Sequence, residues 1–167
     1  MARHGKVGRL DSVGCVAGGL PRQPSEFKTL YFSSPEEARA ALAAFNSSLF
    51  YWFLTLLSDC RHLNKREVDV FPVPTRLLNK GVAVDVERGV TRLMKDLKKK
   101  QSETRHMKFK HDELTVQCLL PKKSWSVLEG IDELVASAVR LSQVEADYIA
   151  GYDVKYRLGQ SNDDSDD

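Results

Sequence analysis

The chain has few cysteines and no apolar run long enough to cross a bilayer, and each shortage excludes something. Cys15, Cys60 and Cys118 are the only cysteines. They stand far apart, form no C-x-x-C pair and are odd in number, which argues against a disulfide framework. A reducing, cytoplasmic setting is the expectation. The first ten residues are polar and basic with no apolar stretch behind them, so no secretory signal is expected. The one stretch with a membrane-like composition, 40–57, carries Asn46, Ser47 and Ser48 near its centre. It also falls short of the roughly 20 apolar residues needed to span a bilayer. It is read as a buried helix, and no membrane contact is expected.

Enzyme signatures are missing as well. Gly18-Gly19 has neither the spacing nor the Lys-Ser/Thr partner of a phosphate loop. No G-x-S-x-G elbow occurs. His4, His62, His106 and His111 do not stand with cysteines or acids at metal-ligand spacing. Asp59, Cys60, Arg61 and His62 contain a nucleophile and a base, but catalytic pairs are recognised in space rather than by adjacency. The expectation is therefore no catalytic residue, no metal and no cofactor held by this chain.

The charge is unevenly placed. The formal net charge is only +2, yet Asp163, Asp164, Asp166 and Asp167 crowd the last five residues. Without those four acids, 25 basic side chains face 19 acids of the total 23. A mildly basic body with an acidic tail suits an anionic partner, because such a balance bears on association rather than fold.

Periodicity predicts an α+β fold, mostly helical, with a small antiparallel sheet. Ser34-Pro35-Glu36-Glu37 reads as a helix start: Ser34 caps, Pro35 suits the first turn and Glu37 completes a capping box. One long helix is expected over 35–57. A second is expected over 85–100, with Val86, Val90, Leu93 and Leu97 on one side and Arg88, Arg92, Lys95 and Lys99 on the other. A third is expected over 126–141, and Ser142 with Glu145 opens a short fourth. Residues 1–33 read as irregular with short β pieces at 13–17 and 28–32, and 108–110 with 114–119 read as a hairpin. Residues 1–159 are expected to form one domain, and 160–167 a disordered acidic tail.

Two constellations carry chemistry. The basic segment Arg88, Arg92, Lys95, Lys99, Lys108 and Lys110 is what phosphates attract, with sequence-independent and salt-sensitive affinity. The solvent side of an amphipathic helix looks the same, and charge alone divides evenly between the two, because Asp96, Glu103, Asp112 and Glu113 dilute the segment. The second is Arg61, His62, Asn64, Lys65 and Arg66. Arg suits guanine edges and Asn suits adenine edges. A polar inter-helix connection with Asp59 and Asn64 as caps explains it at least as well.

A resemblance shifts that balance. Residues 45–52, Phe-Asn-Ser-Ser-Leu-Phe-Tyr-Trp, lead through Ser58-Asp59-Cys60-Arg61-His62-Leu63-Asn64-Lys65-Arg66 to Phe71-Pro72-Val73-Pro74. Further on stand Ile131-Asp132-Glu133-Leu134, Tyr148-Ile149 and Tyr152-Asp153-Val154-Lys155-Tyr156-Arg157-Leu158-Gly159. In this order the segments resemble the C-terminal target-recognition region of adenine-specific DNA methyltransferases of type II restriction–modification systems. The likeness is greatest to those that fuse cleavage, methylation and specificity in one chain (type IIG). The similar segments span about 30–159. Gly151 departs from the pattern, where the family usually has Asn.

The resemblance implies a recognition role on double-stranded DNA, beside a methyltransferase or nuclease domain or subunit. S-adenosylmethionine would bind to that partner. Neither the Asn-Pro-Pro-Tyr type motif nor the Gly-rich cofactor loop of the catalytic half occurs here. Leu49, Phe50 and Trp52 match the family's apolar helix and imply core. Asn46 and Ser47 match its polar break and imply a helix–helix hydrogen bond. Arg61 and His62 match the turn and imply DNA contact. Tyr152, Asp153, Lys155, Tyr156 and Arg157 match the terminal motif, for which packing is favoured over phosphate contact. The alternative is a protein-interaction module that docks onto a methyltransferase or nuclease subunit.

Overall fold

The computed structural model describes residues 15–17, 20–21, 29–59, 63–99, 102–108, 110 and 113–152. It has six α-helices and four short strands among these residues. The α+β expectation holds.

Helix α1, Pro35–Phe45, starts as its sequence dictates. The Ser34 hydroxyl accepts from the Glu37 amide at 3.1 Å. The Glu37 carboxylate accepts from the Ser33 amide at 2.9 Å, one residue before the partner a strict capping box would use. Ala40, Ala41, Ala43 and Ala44 are its buried face. Such small side chains allow the close packing of α1 on α4 seen here.

The single helix expected over 35–57 is in fact two. Helix α2, Ser48–Leu57, leaves α1 at a bend of 68°. Asn46 and Ser47 compete with the helical backbone, as short polar side chains do. The Asn46 amide group donates back to Leu42 O at 2.8 Å. The Ser47 hydroxyl donates to Ala44 O at 2.7 Å and accepts from the Phe50 amide at 3.3 Å, so it closes α1 and caps α2 at once. Among the described residues no single helix is long and apolar enough to cross a membrane; this bent pair together reaches the length and composition.

Helix α3, Lys65–Val70, is short, and Phe71–Pro74 follows it without regular structure, as two prolines require. A 3-10 turn, Thr75–Leu78, buries Leu77 and leads into helix α4, Lys80–Lys99. α4 therefore begins about five residues before the expected start, because the preceding turn delivers the chain to Asn79, whose carbonyl accepts from the amides of Val82 and Ala83 at 2.8 Å. Val86, Val90, Leu93 and Leu97 are all buried, as the spacing predicts.

Strands β1, Cys15–Ala17, β2, Leu20–Pro21, β3, Ser102–Lys108, and β4, Glu113–Leu119, form an antiparallel sheet in the order β2-β1-β4-β3. The hairpin expectation holds for β4 but misplaces its partner: β3 runs through 102–108, not 108–110. β3 has no apolar alternation, so only its pairing to β4, Ser102 opposite Leu119 through Lys108 opposite Glu113, defines it. Of the strand expected over 28–32, residues 29–32 have no strand structure and Lys28 lies outside the described residues.

Helix α5, Trp125–Val139, contributes Val127, Leu128, Ile131 and Val135 to the core against α4. It ends in a Schellman arrangement: Arg140 takes a left-handed φ of 63°, and the Leu141 amide donates to Ala136 O at 3.0 Å. Helix α6, Gln143–Gly151, opens on the Ser142–Glu145 capping box that the sequence predicts.

The α4–α5 contact yields a stability prediction. A Cβ placed on Gly89 would lie 3.5 Å from Ile131 Cγ1 and 3.8 Å from Leu134 Cδ1, both ordinary contacts. Gly inside a helix costs roughly 0.5–1 kcal/mol relative to Ala. Gly89→Ala is expected to raise stability by about that amount in urea unfolding; a loss would mean that the helices cannot yield a few tenths of an ångström there.

Candidate nucleic-acid interface

The basic side of α4 is built by helical spacing alone. Residues 88, 92, 95 and 99 recur at four-three-four intervals opposite the buried Val86, Val90, Leu93 and Leu97, so burying one stripe exposes the other. Arg88 donates to Asp85 at 2.8 Å, a pair open to solvent and worth little. Among the described residues, no acidic side chain pairs with Arg92, Lys95 or Lys99 at ion-pair distance. These three cations face solvent along about two turns of helix.

Cations continue into the hairpin, but acids match them: Arg105, Lys108 and Lys110 stand with Glu103, Asp112 and Glu113. Thr104, Arg105, His106, Met107, Lys108 and Lys110 are all exposed, so both faces of β3 are open. His106 Nδ1 lies 3.0 Å from the hydroxyl of Thr115, its neighbour across the ladder. That contact fixes the ring plane and leaves Nε2 outward.

The turn before α3 is described from Leu63 onward. Asn64 is the N-cap of α3, and its backbone amide donates to the Glu67 carboxylate at 2.9 Å. Lys65 pairs with Asp69 one turn on, and Arg66 is exposed. Arg61 and His62 lie outside the described residues, as do Asp153, Lys155, Tyr156 and Arg157 of the terminal motif. Tyr152 is half-buried, its ring centroid 6.0 Å from that of Tyr148.

Phe71, the aromatic of the Phe-Pro-x-Pro stretch, is buried. Its ring centroid lies 5.0 Å from those of Phe50 and Phe53 and 6.0 Å from that of Phe45. The matched segments thus meet in one aromatic cluster. The helix–helix tie implied for Asn46 and Ser47 falls one residue later. Asp132, on α5, accepts from the Ser48 amide at 2.6 Å and the Ser48 hydroxyl at 2.5 Å. A carboxylate at the N-terminus of α2 also favours the helix dipole. Nothing in the spacing pairs positions 48 and 132; the one signal was that each falls inside a matched segment.

The expectation that α2 is core holds for its first half and fails for its end. Phe50 is buried in the same cluster as the α4 and α5 stripes, and half-buried Leu49 and Phe53 pack against it. Trp52 is half-buried outside that cluster, and Leu56 and Leu57 are 59% and 48% exposed.

A cleft of about 590 Å³ lies between α2, α5 and α6. Glu129, Asp132, Glu133 and Asp147 line it, so its sign repels phosphate and places any nucleic-acid contact elsewhere. Glu145, at the start of α6, has its carboxyl held below the usual carboxylate range by the Ser142 hydroxyl and then the Ser142 amide. Among the described residues no three His, Cys, Asp or Glu side chains gather as metal ligands.

Comparison of the chain with protein-family profiles, curated proteins and solved structures found no match.

Proposed function

We propose that this chain is the DNA target-recognition part of a site-specific adenine DNA methyltransferase of the restriction–modification type. In this reading it has no catalytic site, and a methyltransferase or nuclease domain or subunit supplies S-adenosylmethionine binding and chemistry. The observation that carries the proposal is the exposed stripe Arg92, Lys95 and Lys99 on α4, without acidic partners at ion-pair distance among the described residues. The likeness of residues 45–74 and 131–159 to that family supplies the enzyme class.

The test is fluorescence anisotropy of a mixed-sequence duplex across a range of salt. The logarithm of Kd is expected to rise steeply and linearly with log salt, since each phosphate neutralised adds about 0.9 to the slope. Absence of binding at low salt would overturn the proposal for the chain alone.

One observation favours a second reading, in which the chain docks onto a methyltransferase or nuclease subunit. α2 leaves Leu56 and Leu57 open beside half-buried Tyr51 and Trp52, and exposed apolar surface of this kind marks interaction sites. Docking by α2 and DNA contact by α4 use different surfaces and are compatible.

A further inference from the structure

We infer that the acidic run Asp163, Asp164, Asp166 and Asp167 docks on the Arg92, Lys95 and Lys99 stripe of α4 and competes with DNA for it. The inference rests on the reading of α4 as a phosphate-binding surface and adds a regulator held in the same chain.

Four observations carry it. The first is charge. The stripe has three exposed cations without an acid at ion-pair distance among the described residues. The run has four carboxylates within five residues, and no Lys, Arg or His follows Arg157 to offset them. The second is length. Arg92 to Lys99 covers about 10 Å of helix, and residues 163–167 cover about 13 Å when extended, so one can lie along the other.

The third is reach. The run itself lies outside the described residues, and the described chain leaves α6 at Tyr152. α6 packs on α5 and α5 on α4, so that exit is about two interhelical spacings, or roughly 20 Å, from α4. The chain from Tyr152 to Asp163 spans up to about 36 Å when extended. The difference is enough to pass round one helix to its outer side. The fourth is the lack of a nearer site. The cleft that α6 lines carries Glu129, Asp132, Glu133 and Asp147, so it repels the run from its own root. Lys65 and Arg88 already pair with Asp69 and Asp85, and Lys108 stands opposite Glu113 in the ladder.

Tethering holds the run near the stripe at an effective concentration of about millimolar, so weak contacts suffice to occupy it. Four carboxylates over about 13 Å place one charge every 3 Å or so, against one per about 1.7 Å of axis in duplex DNA. A duplex therefore displaces the run, whereas polyanions of lower charge density do not.

The test uses the full chain, a form ending at Gly159, and a full-length form with all four aspartates changed to asparagine. A water-soluble carbodiimide, which joins touching carboxylates and amines, is added without DNA, and the products are mapped by mass spectrometry. Amide links from 163–167 to Lys95 or Lys99 are expected in the full chain. They should vanish at roughly 0.5 M salt, where screening shortens to a few ångströms, and on addition of a mixed-sequence duplex. Anisotropy then follows that duplex at low salt. The shortened form and the asparagine form should each bind about 3- to 10-fold tighter than wild type, with the gain lost as salt is raised. In an Arg92→Ala/Lys95→Ala/Lys99→Ala background the same shortening should leave affinity within about 2-fold, because the docking site is gone. Unchanged melting curves will show that each form keeps its fold.

Links to other lysines in place of Lys95 and Lys99, or no links at all, would overturn the docking. A gain that persists in the triple-alanine background would overturn it too, since the run would then act only by repelling the duplex from a distance. Equal affinity of all three forms would overturn the competition. Links to Lys95 or Lys99 with no duplex bound by any form would support the docking and overturn the underlying DNA reading of α4.

Discussion

Changing Arg92, Lys95 and Lys99 together to alanine is expected to weaken binding to any mixed-sequence duplex by about 100- to 500-fold at roughly 0.1 M salt. The size follows from counterion release. Each phosphate neutralised frees about 0.9 of a counterion, so at roughly 0.1 M salt each contact contributes just under one decade of affinity. Losing three should also flatten the plot of log affinity against log salt by about 2.7. Duplexes of different sequence should lose equally, because phosphate contacts hold no sequence information. Arg88→Ala should cost less than any of the three single changes, since Arg88 already shares its charge with Asp85. All four side chains face solvent, so the melting temperature should not move. Unchanged affinity in the triple variant would mean that α4 is simply the solvated side of an amphipathic helix.

The second large effect concerns stability. Asp132→Ala removes both acceptors of Ser48, a residue only 2% exposed. Leaving buried donors without a charged acceptor costs about 3 kcal/mol, which for a domain of this size lowers the melting temperature by roughly 6–12 °C. Ser48→Ala keeps the amide bond to Asp132 and loses only the hydroxyl, so about 1 kcal/mol is expected. In a double-mutant cycle by urea unfolding the two changes should couple strongly, because each removes part of the same contact. An Asp132→Ala variant within about 0.5 kcal/mol of wild type would show that water or another side chain replaces the carboxylate.

Which parts of this architecture could be read from sequence depends on whether the cause is local. The buried stripe of α4 is a periodicity, and all four of its members are buried as spacing requires. The starts of α1 and α6 are local hydrogen-bonding patterns of Ser34 with Glu37 and Ser142 with Glu145, and both form. Long-range causes were hidden. Position of β3 depends on β4, since 102–108 has no alternation of its own. The break at Asn46–Ser47 was legible as polar residues in an apolar run, but its consequence was not. Apolar content suggested that all of α2 is core, whereas after the 68° bend only its first half packs on the core and Leu56 and Leu57 are exposed. The Ser48–Asp132 tie joins positions 84 residues apart, and no spacing argument reaches that far.

That same geometry makes α2 a cantilever. Its root is clamped twice, by Ser47 to α1 and by Asp132 to Ser48, while its tip carries the exposed Leu56 and Leu57. A helix of ten residues is about 15 Å long. A tilt of about 10° at the root therefore swings the tip by roughly 2.6 Å, close to a quarter of a helix diameter. Load applied at the tip reaches α5, the helix that braces α4 from behind, through the Asp132 carboxylate and the side chains of α2 packed on the core. The leverage runs from the apolar end of α2 to the helix that carries the cations, with Asp132 as its fulcrum.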